Sequence, residues 1–371
     1  MQQAESRERE KESGAKLSLV IPCYNEEETL EHCIKRCLAL SSDTISLELI
    51  IVDDCSTDNS SIVAEKLSII HPEVRFVKHT HNQGKGAALR TGFQHASGDF
   101  VGIQDADAEY DPRDYLKMLK PLRQGRADVV YGSRYLRPRS RRVLYFWHTW
   151  MNRSLTFVSN MFSNLDISDM ETCYKLFRRE VIQSIAPQLQ ENRFGFEPEV
   201  TARVAQMGCR VHECAISYEP RSYEEGKKIG WKDGVRALYC ILHYSAHTAP
   251  LPMQILLYFF IGLLCALVNL GAFATLTGLG LGLAPAVFLA FVLAAACNYL
   301  LCIAILFRHK ARWSAGGEIV AYILTITIMG ALDYAITAGL AALGLSVLWS
   351  KFWATLVGFV GNFIFRKYLV F

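Results

Sequence analysis

The stretch Ile103 to Pro112, IQDADAEYDP, decides the reading of the chain. It continues an apolar run, Asp99-Phe-Val-Gly-Ile103, that reads as a buried strand. In extended backbone alternate side chains share a face, so Asp105 and Asp107 point one way while Ala106 packs behind them. Two convergent carboxylates at the end of a strand suit a hard divalent cation, which takes oxygen ligands and bridges protein carboxylate to substrate phosphate. In open α/β sheets the crevice beyond the carboxyl ends of the strands is where ligands sit. The competing reading is a solvated acidic turn, because Asp is common at turns.

Outward from this stretch, apolar strands alternate with helices. Strands are predicted over Leu17–Ile21, Leu47–Val52, Val74–Lys78, Asp99–Ile103 and Asp128–Tyr131. Asn25 is the candidate N-cap of a first helix with acids in its first turn. Ser56 or Thr57 opens a second helix to about Ile70, and further helices cover Ala87–Ala96 and Arg113–Arg123. Units this short favour right-handed crossovers and a parallel, doubly wound sheet. Asp53, Asp54, Lys85, Asp105 and Asp107 each fall just after a predicted strand, so one sheet edge should gather them.

Composition divides the chain. Of 371 residues 51% are hydrophobic, but the charges are uneven: 33 Lys+Arg against 34 Asp+Glu up to Ala249, then six against two from Pro250 onward. No Asp, Glu, Lys or Arg occurs from Ala237 to Phe307, which marks membrane sequence. The eleven cysteines lack a disulfide framework or zinc spacing and read as reduced, buried residues. Residues 1–15 read as a disordered, charged tail that is not a secretory signal, so the first domain is expected in the cytosol.

The strings LVIPCYNEEETL, LIIVDDCSTDNS, HNQGKGAALRTGF, GDFVGIQDADAEYDP and VYGSRY resemble the family-2, GT-A-fold glycosyltransferases. Within these they resemble the polyprenyl-phosphate hexose synthases typified by dolichol-phosphate mannose synthase. The likeness continues through DMETCYKLFRREV, RFGFEPEV and YEEGKKIGWKDGVRA, covering roughly Lys16 to His247. It implies a catalytic domain over 16–229 and nucleotide contacts from Pro22, Tyr24, Glu26, Asp53, Asp54, Lys85, Asp105 and Ala106. It also implies Mg²⁺ or Mn²⁺ held on the diphosphate by Asp105 and Asp107. Glu109 stands where some relatives carry a Gln ligand and keeps an oxygen donor there.

A phosphate acceptor calls for cations, and arginine can fork onto phosphate with two hydrogen bonds. Arg134 and Arg221 match family positions and are assigned, with Arg142 and Lys227, to the acceptor phosphate; Asp105, Asp107, Arg134 and Arg221 form the candidate catalytic set. Arg137, Arg139, Arg141 and Arg142 suit equally a surface drawn to anionic lipid heads. Asp169 and Glu171 either orient donor-sugar hydroxyls or pair with Lys175 and Arg178, and Glu197 and Glu199 are site residues or helix N-terminal stabilisers.

A lipid monophosphate is already anionic and needs no general base, only positioning and charge neutralisation. The expected reaction is a single inverting displacement from a nucleotide sugar, GDP-mannose or UDP-glucose, giving a β-linked polyprenyl (dolichyl or undecaprenyl) phosphate hexose. Two alternatives stand beside it. One is transfer to another lipid's hydroxyl, which would call for a base at Asp169 or Glu171. The other is a transporter whose cytosolic domain senses a sugar nucleotide without catalysis. No nucleic-acid partner is expected.

Two segments, 142–162 and 230–249, mix aromatic and polar residues and suit helices lying on the bilayer surface; core packing is the alternative. Beyond Pro250 four spans are expected, about 254–275, 285–307, 318–343 and 348–369. The basic link at Arg308, Lys310 and Arg312 and the pair Arg366-Lys367 place the catalytic domain on the cytosolic side; Lys351 runs against this. Asp333 is a candidate intramembrane functional group, facing Asn269, Asn298, Lys351 or Asn362, or a packing contact. Asn269, Asn298-Tyr299 and Gly361-Asn-Phe-Ile-Phe-Arg366 resemble GtrA-like four-span domains, through which a homo-oligomer would form.

Overall fold

A computed structural model describes residues 14–136, 143, 145–220, 231–307 and 315–370. The chain divides into two units, at Ser245/Ala246.

The first unit is built on a seven-stranded sheet: β1 (Ala15–Cys23), β2 (Ile45–Asp53), β3 (Val74–Lys78), β4 (Phe100–Ile103), β5 (Val129–Ser133), β6 (Lys175–Arg178) and β7 (Val211–Ala215), in the order β3-β2-β1-β4-β6-β5-β7. Helices α1 (Leu30–Leu38), α2 (Ser60–Ile70), α3 (Lys85–His95), α4 (Tyr115–Arg123), α5 (Phe146–Ser163), α6 (Arg179–Ile185), α7 (Phe196–Gln206) and α8 (Trp231–Ser245) complete it. The central strands are apolar runs rather than alternating ones because both faces are covered: β4 and β5 are buried throughout.

Two strands escaped the sequence pattern. β6 is only four residues, KLFR, and lies antiparallel between β4 and β5; β7 closes the edge parallel to β5. The sheet is therefore mostly, not wholly, parallel. Lys175, the first residue of β6, is fully buried and donates to the Met170 carbonyl at 3.0 Å and to that of Thr172.

Register sets the site. Cys23 of β1 aligns with Asp53 of β2, Val20 with Ile103 of β4, and Asp53 with Lys78 of β3. The chain turns from β1 toward β2 on one side, while β4 takes the other, so the gap beyond β1 and β4 is the switch point where such sheets bind ligands.

The first helix corrects one expectation. Asn25 is not an N-cap: it sits in the left-handed region at φ 55°, and its Oδ1 accepts from Thr57 N at 2.8 Å. The helix starts later, at Leu30 with Thr29 before it, because Asn25 ties two loops together. α2 likewise starts at Ser60 rather than at Ser56 or Thr57.

α5 packs Leu155, Thr156, Ser159 and Phe162 inward and leaves Phe146, Trp147, Trp150 and Phe157 exposed, Trp147 by 74%. α8 buries Ala237, Cys240, Ile241 and Tyr244 while Val235, Leu238 and Tyr239 face outward. Neither helix is wholly core, and each carries an uncovered aromatic or aliphatic face.

The second unit holds α9 (Leu251–Gly278), α10 (Leu283–Leu301), α11 (Ala315–Ala342) and α12 (Val347–Phe365). α10 runs on through a π-helical segment to Phe307, and α12 through another, Arg366–Val370. Among the described residues, Leu251–Gly278, Leu283–Phe307 and Ile319–Ala342 are long and apolar enough to cross a membrane. Their outer surfaces are Leu, Val, Ile and Phe, whereas Gln254, Arg366 and Ser350 are buried, the inverse of a water-soluble bundle. Arg366 was expected among flanking basic charges but lies inside the bundle, only 6% exposed.

Candidate active site

At the switch point four loops converge. Asp53, the last residue of β2, is consumed within its own loop, where its carboxylate accepts from Ser56 N at 3.1 Å and from the Ser61 hydroxyl. Asp54 accepts from Gln83 N at 2.9 Å, Gly84 N at 2.7 Å and His79 Nδ1 at 2.7 Å. It thereby satisfies the amides that lead into α3 and fixes where that helix begins. Both aspartates are buried, so they order the loops at this sheet edge rather than present open carboxylates. Tyr24 is 37% exposed, and Pro22 lies half-buried on β1 opposite Val52. Glu26 is anchored through its amide to Ser60 Oγ at 2.8 Å and through its carboxylate to Thr29 Oγ1 at 3.0 Å.

The acidic loop turns at Ala108, which sits in the left-handed region at φ 60°. Asp105 pairs with Lys85 Nζ at 3.0 Å, and Lys85 reaches Glu197 at 3.6 Å and Cys173 Sγ at 3.3 Å. Burial pulls the Lys85 ammonium down, but Asp105, Cys173 and Glu197 outweigh it and raise the group well above its ordinary value. Ala106 is buried, but in a turn rather than the extended backbone that was expected, because β4 ends at Ile103. Asp107 Oδ1 accepts from Glu109 N at 3.2 Å, and Glu109 accepts from Tyr218 OH at 2.9 Å.

Among the described residues no three His, Cys, Asp or Glu side chains form a cluster able to hold a metal. Asp105, Asp107 and Glu109 are thus not brought together as a triad. The donor set still fits a magnesium-like ion, which takes one or two carboxylates and completes its shell with substrate phosphates and water.

Arg134 follows β5 and is not left open to solvent. Its Nε and Nη2 fork onto Asp169 at 2.7 and 2.8 Å, and its own amide reaches the same carboxylate at 3.0 Å. Asp169 is 0% exposed, and it pairs with neither Lys175 nor Arg178. The guanidinium lies over the Tyr218 ring at 5.2 Å, which links it to Glu109. Tyr110 stacks between Tyr174, at 4.5 Å, and Tyr218, at 5.1 Å. These tyrosines, absent from the sequence-based site, form the wall joining the acidic loop to Arg134, and no local pattern marks them.

Glu171 lies close by, with Oε1 buried and without a hydrogen-bond partner. Burial, then the Glu197 carboxylate, pushes its pKa up to about 8, against the pull of Lys175 and Arg134. Glu197 therefore belongs to the site, whereas Glu199 caps the backbone of Gln190 and Glu191 at 2.8–3.0 Å and is structural. Arg137, Arg139, Arg141, Arg142, Arg221 and Lys227 lie outside the described residues.

Residues 18–186 match the model of glycosyl transferase family 2, and residues 257–371 that of the GtrA/DPMS transmembrane domain. The chain is 26% identical over 218 residues to glycosyltransferase AglD of Haloferax volcanii, covering 56% of this chain and 34% of that protein. It is 26% identical over 270 residues to a dolichol-phosphate mannosyltransferase of Pyrococcus furiosus, covering 72% and 74% of the two chains. Over 222 residues it is 27% identical to an undecaprenyl-phosphate mannosyltransferase of Micrococcus luteus, covering 57% and 86%. In fold it is similar to glucosyl-3-phosphoglycerate synthase of Mycobacterium tuberculosis, solved with Mn²⁺, UDP and glucosyl-3-phosphoglycerate; the TM-score is 0.50 at 19% identity, over 66% of this chain and 84% of that one. The chain thus carries a glycosyl transferase family 2 domain, on a GT-A-like fold, and a GtrA/DPMS transmembrane domain.

Proposed function

We propose that the protein transfers one hexose, mannose or glucose, from a nucleotide sugar to polyprenyl phosphate at the cytosolic face of a membrane, with inversion to a β-linked product. Mg²⁺ or Mn²⁺ on Asp105 and Asp107 would neutralise the departing nucleoside diphosphate, with Glu109 beside it. Lys85 holds Asp105 in place from the start of α3. Asp53 and Asp54 set the loops of the nucleotide cleft, and Arg134, with Arg142, Arg221 and Lys227, meets the acceptor phosphate.

The observation that carries this reading is the state of the two carboxylates that a hydroxyl acceptor would need as base. Asp169 is buried under the Arg134 fork, and Glu171, with a pKa near 8, is mostly neutral at pH 7. Asp169 is committed to Arg134 on both carboxylate oxygens, and an acceptor that is already an anion asks for no base. A neutral Glu171 can instead donate a hydrogen bond to a sugar hydroxyl. The named relatives that act on dolichol phosphate and undecaprenyl phosphate support the same acceptor class. The exposed faces of α5 and α8 support contact with the bilayer surface, where Trp and Tyr reside.

The test is transfer by the full chain in detergent, with a panel of nucleotide sugars, polyprenyl phosphate and polyprenol as acceptors, and Mg²⁺ or Mn²⁺. A β-configured phosphodiester by mass and NMR is the expected product. Transfer to polyprenol, or a retained anomeric configuration, would overturn the reading.

A further inference from the structure

Arg236 of α8 reaches across to the loop between α6 and α7. Its Nε and Nη2 donate to the Glu191 carboxylate at 3.2 and 2.7 Å, and Tyr244 OH, further along α8, donates to the same carboxylate at 3.1 Å. Glu191 is 6% exposed, so its charge is withdrawn from water and met by α8. The seat is close: a Cβ on Gly195, in the same loop, would collide with Glu191 Oε2 and with Cys240 Sγ of α8. Outward, α8 presents Val235, Leu238 and Tyr239, an i, i+3, i+4 stripe facing away from the fold.

The inner side of this loop backs the start of α3. The Glu191 carbonyl accepts from Arg90 Nη1 at 2.8 Å, and the Asn192 carbonyl accepts from the Ala87 amide at 3.2 Å. A Cβ on Gly86 would strike the Glu191 carbonyl, so the two main chains meet with no side chain between them. Lys85 stands on that first turn of α3, and its Nζ pairs with Asp105 at 3.0 Å. The loop also runs into α7, whose first turn supplies Glu197, 3.6 Å from the same ammonium. An ion pair that only fastened α8 could use any residue beneath the helix. This one uses the residue whose own carbonyl grips α3.

We propose that Arg236 and Glu191 are positioning residues for the nucleotide-sugar half of the site: through them the seat of α8 sets where Lys85 holds Asp105. Neither touches a substrate. The hold of the bilayer on the outer stripe of α8 then bears on how tightly a metal-bound diphosphate is taken up. The proposal rests on the reading of Asp105 as the metal and diphosphate side of the site, and it assumes nothing about the acceptor.

Calorimetric titration of the full chain in nanodiscs with Mn²⁺·GDP and with Mn²⁺·UDP tests this, on whichever nucleotide the wild type binds. The Arg236 side chain is 54% exposed, so Arg236→Gln should melt with the wild type. It should weaken the Kd by roughly three- to fivefold, the most that a half-exposed ion pair can pass on. Arg236→Lys should restore most of that loss, and KM for polyprenyl phosphate should not change in either variant. Val235→Ser/Leu238→Ser strips the outer stripe without touching the pair and should weaken the Kd in the same way. Gly86→Ala drives the loop off α3 directly and should also weaken it; adding Arg236→Gln to Gly86→Ala should then cost nothing further, because both release one contact. An unchanged Kd in Arg236→Gln or in the stripe variant overturns the proposal, as do full additivity with Gly86→Ala, failure of Arg236→Lys to rescue, or a parallel change in KM for the acceptor. A wild type that binds neither nucleotide sinks this inference together with the reading of the site. A wild type that binds one of them yet transfers nothing to polyprenyl phosphate sinks the proposed transfer alone.

Discussion

Replacing Asp169 by Asn tests whether Arg134 is held by that carboxylate. Asn keeps one oxygen for the Arg134 amide, but it sets an NH₂ group against the guanidinium and removes the charge that balances it. Asp169 is 0% and Arg134 8% exposed, so the cation would remain buried without its counterion. Removing one partner of a buried pair costs about 3–5 kcal/mol, whereas replacing both by apolar groups of similar volume is often neutral. For a domain of this size 1 kcal/mol corresponds to about 2–4 °C, so Asp169→Asn should lower the Tm of the first unit by roughly 6–20 °C. The double variant Arg134→Met/Asp169→Leu should recover most of that loss. Intrinsic-fluorescence melts of the full chain in detergent read both. If Asp169→Asn melts with the wild type, or the double variant is as unstable as the single, the pairing does not fix Arg134 and the site geometry argued here is wrong.

Asp107→Ala should lower transfer by roughly 10²–10³-fold with an unchanged melt, as expected on losing a group that stabilises developing charge; wild-type turnover would remove the acidic loop from the chemistry. Glu171 has its pKa raised from 4.5 to about 8, so the folded protein retains a proton that the unfolded chain releases. Its contribution is therefore complete below about pH 4.5 and is lost as pH rises toward 8, by up to about 1.4 kcal/mol per pH unit. Glu171→Gln should flatten that decline in a series of denaturant melts, and an unchanged slope would contradict the buried neutral carboxyl. Trp147→Ser/Trp150→Ser on the exposed face of α5 should leave the melt within about 0.5 kcal/mol of wild type. It should also raise KM for a long-chain acceptor in nanodiscs while sparing a short-chain one in detergent; parallel effects on both acceptors would place the tryptophans outside membrane contact.

What the sequence determined by itself was whatever repeats over a few residues. Apolar runs broken by loop residues placed β1 to β5 and the helices between them. The charge-free stretch from Ala237 to Phe307 separated a water-facing unit from a membrane unit. Partner choice was decided only by tertiary structure, because a charged side chain pairs with whatever the fold brings within about 3 Å. Asp169 meets Arg134 from 35 residues away, Asp54 caps a loop 29 and 30 residues on, and Arg366 reaches Asn298 across 68. β6 escaped notice for the same reason: four residues flanked by Lys175 and Arg178 show no strand pattern until β4 and β5 stand on either side to pair with them.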